Sequence, residues 1–132
     1  MKRLLRIAGL TAMVCGAASL AYAHHSSTMF DGTKQVTMEG VVKEFQFTNP
    51  HSWLLVDVAN KDGMVTTWGF EAEGPTTLMQ AGIRRGDLTP GAKIVITGFP
   101  MRDGRPAAAW AKAVRTSDGM EFYPRGKNPR LN

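Results

Sequence analysis

Residues 35–123 are cut into short alternating apolar runs by a regular series of turn signals, and that spacing is the strongest constraint on the fold. Asn60-Lys61-Asp62-Gly63, Thr89-Pro90-Gly91, Asp103-Gly104 and Ser117-Asp118-Gly119 punctuate the runs with residues suited to tight turns. A first strand is expected over 35–47, and its alternation changes phase. Val36, Met38 and Val42 share one parity, whereas Val41, Phe45 and Phe47 share the other. Gly40, between them, predicts a bulge or a sharp bend.

The turn Thr48-Asn49-Pro50 leads to a second strand over about 51–59, with Leu54, Val56 and Val58 on one face. A third covers about 64–72, with Met64, Trp68, Phe70 and Ala72 in phase. Gly74-Pro75 opens a short helix over 75–81, with proline at a favoured first position and Gly82 as its stop. Strands over 92–99 and about 105–116 follow, and 120–123 adds a short last one. Five strands, a bent first strand and one short helix between strands 3 and 4 predict a mainly β, OB-like five-stranded barrel. A small β-sandwich or half-open barrel shares the same meander.

The first 23 residues have a different character. Lys2, Arg3 and Arg6 precede an uncharged apolar run over 7–20, and Ala21-Tyr22-Ala23 supplies the small residues a signal peptidase requires. The run is too short to favour a transmembrane helix, and Val14 before Cys15 argues against a lipid anchor. The expectation is therefore a cleaved signal peptide (1–23), an N-terminal arm (24–34), an OB-like domain (35–123) and a polar tail (124–132) of a soluble periplasmic protein, taken as a monomer.

Removing 23 of 132 residues leaves 109, enough for one modest core, and loss of three cations lowers the formal charge from +5 to +2. No clustered basic face remains to suggest nucleic-acid binding. The only cysteine leaves with the signal, which excludes cysteine zinc sites and thiol catalysis from the mature form.

Cleavage after Ala23 exposes a free amine on His24, beside His25. With His51 these are the only histidines in the chain. Two chelates can be drawn. The amine and Nδ1 of His24 with the imidazole of His51 make a T-shaped histidine brace; the amine, the amide of residue 25 and the His25 imidazole make a local one. Nitrogen donors in tetragonal geometry favour Cu(II), and affinity falls as pH drops below about 7, where amine and imidazole protonate. The competing reading is a solvated histidine pair and a His51 that serves only its turn.

Other candidates carry less. Glu71 and Glu73 share one face of a strand and read as its solvated side, with an acid/base pair or an oxygen ligand as the alternative. Arg84-Arg85 reads as a solvated loop rather than an anion site. Pro100-Met101-Arg102-Asp103-Gly104 reads as a turn pinned by its own Arg-Asp pair. The six methionines of the mature region are expected to fill the core, and Trp53, Trp68 and Trp110 to build it. No serine-histidine-acid spacing, phosphate loop or nucleophile motif occurs, so no catalytic residue is assigned.

Together, His24-His25-Ser26, Met29-Phe30-Asp31, Val41-Val42-Lys43-Glu44-Phe45, Asn49-Pro50-His51 and Pro100-Met101-Arg102-Asp103-Gly104 resemble a family of small exported bacterial proteins catalogued as a domain of unknown function. The resemblance covers nearly the whole mature chain and implies a secreted OB-like domain with no assigned activity. His24, His25, His51, Arg102 and Asp103 match its motifs; Phe47 and Ile83 depart from it, standing where members often have tryptophan. Two functions follow as expectations. One is a periplasmic metal-binding protein using His24, His25 and His51, with copper favoured. The other is a metal-free module for an envelope protein or saccharide.

Overall fold

The computed structural model describes residues 28–127. Its elements are β1 (Val36–Gln46), β2 (His51–Ala59), β3 (Val65–Glu73), α1 (Pro75–Gln80), β4 (Lys93–Pro100), β5 (Ala107–Arg115) and β6 (Met120–Phe122). The sheet order β3-β2-β1-β4-β5-β6 is closed by a parallel pairing of β3 with β5, Gly69–Glu71 against Ala107–Ala109. The result is a closed OB-like five-stranded barrel with α1 between the third and fourth strands. All other strand pairings are antiparallel, and β6 extends the sheet outside the ring.

Closure depends on β1 serving two neighbours. Its first half, up to Val41, pairs with β4, and its second half, from Val41, pairs with β2. The hinge is Gly40, where an added Cβ would lie 2.5 Å from Val56 Cγ1 and 2.8 Å from the Asp57 carbonyl oxygen. The phase change expected at Gly40 is displaced. The register slips between Val42 and Glu44, so Lys43 is the extra residue that turns Phe45 inward. Val41, grouped by parity with Phe45 and Phe47, is therefore exposed.

Leu54, Val56, Phe70, Ile94, Ile96, Ala108 and Trp110 fill the barrel, and Leu78, Ile83 and Leu88 from α1 and the following loop join the same cluster. Proline at the first turn starts α1, and Gly82, at φ +81°, ends it while the Ile83 amide donates to the Leu78 carbonyl. Asn60 Oδ1 accepts from the Asp62 and Met64 amides and so fixes the β2–β3 turn. That bond keeps Met64 in the turn, 67 % exposed, rather than in the core.

Two further expectations fail. Of the six methionines, Met29, Met64, Met79 and Met120 are exposed, Met38 is half-buried against the core, and Met101 is buried in a separate small cluster. The exposed four belong to the arm, a turn, the outer side of α1 and the short edge strand. Trp110 is fully buried and Trp68 packs against the core, but Trp53 has the opposite parity to Leu54 and points out of the barrel.

Candidate functional site

The site is built on the outer wall where β2 begins and β3 ends. Gly74 admits the Asn49-Pro50 turn, because an added Cβ there would lie 2.7 Å from Asn49 Oδ1 and 3.0 Å from the Pro50 oxygen. The Asn49–Pro50 peptide is cis. Thr48 Oγ1 donates to the His51 carbonyl at 3.2 Å, and the buried Ser52 hydroxyl donates to the Thr48 carbonyl at 3.3 Å. These bonds hold His51 at the first position of β2, where it pairs with Glu73. Trp53, two residues on, pairs with Glu71. Alternation then places His51, Trp53, Glu71 and Glu73 on one outer face.

Glu71 overturns its expected place on a solvated face: it is only 6 % exposed. The physical reason is the barrel seam. Glu71 pairs with Ala109 of β5, and the outer side of Ala109 is packed against Phe30 and Met101. Periodicity within β3 gives no sign of the seam, because the strand that closes it comes from elsewhere in the chain. Burial pushes the Glu71 carboxyl above the usual glutamate range, against the opposing pull of His51 and then Arg125.

His51 Nδ1 lies 3.2 Å from Glu71 Oε1. The distance is that of an ion pair, yet the approach is off the hydrogen-bond line, and Nδ1 counts as a buried nitrogen without a hydrogen-bond partner. Leaving a buried polar nitrogen unpaired costs about 1–3 kcal/mol, which favours turning the imidazole into line with the carboxylate. Glu73 is engaged elsewhere: Arg125 Nε donates to its Oε1 at 3.0 Å, drawing the start of the C-terminal segment onto the same wall. Pro124, just before, is fully buried.

The N-terminal arm reaches this neighbourhood through the Pro100–Gly104 turn. Phe30 bridges to Met101 and packs with it and Ala109. The Arg102 amide donates to the Met29 carbonyl at 2.9 Å, and the Asp31 amide to the Pro100 carbonyl at 2.8 Å. Arg102 Nε donates to the Thr28 carbonyl at 3.2 Å, and its Nη1 lies 3.9 Å from Asp31. The turn is therefore not pinned by Arg102 with Asp103. Asp103 pairs with Arg105 at 2.8 Å, which frees Arg102 to clasp the arm. The Met29-Phe30-Asp31 and Pro100–Gly104 segments, distant in the chain, are thus in direct contact.

Of the residues expected to bind metal, His51 is in this site; His24 and His25 lie outside the described residues. Among the described residues no three His, Cys, Asp or Glu side chains converge into a metal-holding group, and no helix is long and apolar enough to cross a membrane. Arg85 is engaged with the fold: its Nη2 donates to the Phe47 carbonyl at 3.1 Å and its guanidinium lies over that ring. A depression of about 400 Å³ beside the β1 hinge, lined by Glu39, Val41, Asp57 and Lys93 among others, contains none of the site residues.

Fold and site define a small OB-like barrel protein with a buried histidine–carboxylate contact on its outer wall, next to a clasped N-terminal arm. The chain belongs to the family described as Family of unknown function (DUF6152), whose sequence profile matches residues 12–109. No curated protein and no solved structure matches it.

Proposed function

We propose that the chain is an exported periplasmic protein that binds a divalent transition metal, copper favoured, through the mature N-terminal histidines His24 and His25 together with His51. The observation that carries this reading is the series of contacts that links the arm to His51. Phe30 packs on Ala109, Ala109 pairs with Glu71, and Glu71 touches His51.

In that centre the amine and Nδ1 of His24 close a six-membered chelate ring and His51 supplies the third nitrogen; His25 offers the competing local chelate. Three nitrogen donors suit Cu(II). The test is a Cu(II) titration of mature protein beginning at His24 and of the same protein with one extra residue ahead of it. Extension is expected to weaken binding tenfold or more, about 1.4 kcal/mol. Equal affinity would sink the amine chelate.

Trp53 favours a second reading. Its ring lies against Gly69, where an added Cβ would meet Cε3 at 3.1 Å, and it shares the outer β2–β3 face, the surface on which OB folds hold oligosaccharides. A metal-free module for an envelope saccharide would use that ring as a stacking surface. Quenching of Trp53 fluorescence by a soluble glycan, unaffected by chelator, distinguishes it from the metal reading.

A further inference from the structure

His51 has two ring nitrogens, and the barrel wall faces only one of them. Nδ1 is buried, 3.2 Å from Glu71 Oε1, with no hydrogen bond to any other described group. Glu71 cannot swing away with its strand, because β3 is paired on both sides at this position, with Trp53 of β2 and Ala109 of β5. Glu73, the register partner of His51, is occupied by Arg125 and does not compete.

A carboxylate only accepts hydrogen bonds, whereas a neutral imidazole donates from one nitrogen and accepts at the other. With the proton on Nδ1, the contact joins a donor to an acceptor. With the proton on Nε2, two lone pairs face each other at 3.2 Å in a buried setting. The pair therefore selects one tautomer and leaves the Nε2 lone pair free. Metal-ligating histidines depend on such a partner to fix ring orientation and raise ligand basicity.

Resting on the metal-binding reading above, we propose that Glu71 is the positioning residue of this centre, its carboxylate accepting the Nδ1 proton of His51 so that Nε2 is the metal-ligating nitrogen. Glu71 does not itself touch the metal. It acts through the ring it orients.

The test combines two readouts on the mature protein with its authentic terminus. In the metal-free, ¹⁵N-labelled protein at pH 8, the His51 ring shifts are expected to show protonated Nδ1 and unprotonated Nε2. Glu71→Met, similar in size but without an acceptor, is expected to lose that preference. Glu71→Gln keeps an acceptor oxygen and is expected to retain it, a rescue that a merely structural role would not produce; it also covers the case in which the Met variant fails to fold. In the Cu(II) titration, Glu71→Met is expected to weaken binding about 10–100-fold and Glu71→Gln less. A wild-type ring protonated on Nε2, or a tautomer and affinity unmoved in Glu71→Met, overturns the positioning role alone. Failure of the wild-type protein to bind Cu(II) overturns the metal reading, and with it any role for Glu71 in ligation, whichever tautomer His51 adopts.

Discussion

One edge of β5 is used twice, and the two uses differ. Its first residues, Ala107–Ala109, pair with β3 and close the barrel; its last, Ala113–Arg115, pair with β6. Each pairing joins three residues, yet their charges are arranged in opposite ways. At the β6 end Arg115 and Asp118 are three residues apart and make two short bonds, Nε to Oδ1 at 3.1 Å and Nη2 to Oδ2 at 2.6 Å. Arg115 also donates to the Asp87 carbonyl and lies over the Phe122 ring. At the β3 end, His51 and Glu71 come from different strands, are partly sealed from water, and meet out of line. A matched, local, exposed pair holds an edge in place. A buried pair whose carboxyl is pushed upward by burial is the kind of arrangement that functional sites hold.

The largest break in this contrast comes from uncovering the β3 end. Phe30 is 7 % exposed and seals the outer side of Ala109 with Met101. Phe30→Ala is expected to cost about 3 kcal/mol, the low end for a buried phenylalanine because the cluster is small and able to collapse. Urea denaturation measures the loss. Hydrogen exchange should locate it, with faster exchange at the Gly69–Glu71 and Ala107–Ala109 amides and little change at the β5–β6 pairing. Uniform acceleration along β5 would show that the two ends are one cooperative unit and remove the distinction.

The same contrast explains what the sequence disclosed. Hairpins, the start and stop of α1 and the inward parity of Leu54, Val56, Phe70 and Ile96 are set by neighbours within a few residues, so turn chemistry and alternation reveal them. The phase change in β1 was visible, but its position at Lys43 depends on β2 across the sheet. Glu71 departs from the solvated face its strand implies because what stands beside it, Ala109 at the β3–β5 seam and His51 of β2, comes from other strands. Arg102 was paired with its chain neighbour Asp103, although its partners belong to the arm. Trp53 followed its strand's parity outward while its indole suggested the core. His51 was legible as a candidate through its rarity; the carboxylate beside it was not.

A smaller effect is expected from releasing the clasp without emptying the cluster. Arg102→Ala removes the exposed bond to the Thr28 carbonyl and the 3.9 Å contact with Asp31. The backbone bonds of Met29 with Arg102 and of Asp31 with Pro100 remain. The loss should be about 0.5–1 kcal/mol by urea denaturation, with Phe30 still buried. Asp31 should still titrate below the usual aspartate range, because the Thr33 hydroxyl and amide are the main causes of its lowered pKa and Arg102 the least. If the variant loses as much as Phe30→Ala, the arm is held by the guanidinium rather than by the apolar cluster.

The smallest effect is a pair of titrations whose directions oppose each other. Asp118 is held down at about 2, first by the Arg115 side chain and then by the Met120 amide. Its folded value lies below the unfolded 3.8, so its contribution to stability is present above pH 4 and disappears as pH falls toward 2. Glu71 is raised by burial, so its sign is reversed: its contribution is complete below the unfolded value of about 4.5 and is lost as pH rises through the higher folded value. Carboxyl ¹³C shifts followed from pH 7 to pH 2 should show Glu71 protonating first, above 4.5, and Asp118 last. Arg115→Gln should carry Asp118 back toward 3.8 and leave Glu71 unmoved. Glu71→Gln should give a higher Tm than wild type at pH 7, a gap that closes by pH 4, even as it weakens Cu(II) binding. A variant both less stable at neutral pH and weaker for metal would mean that the buried carboxylate supports the wall as much as it serves His51, and the two ends of β5 would then differ only in exposure.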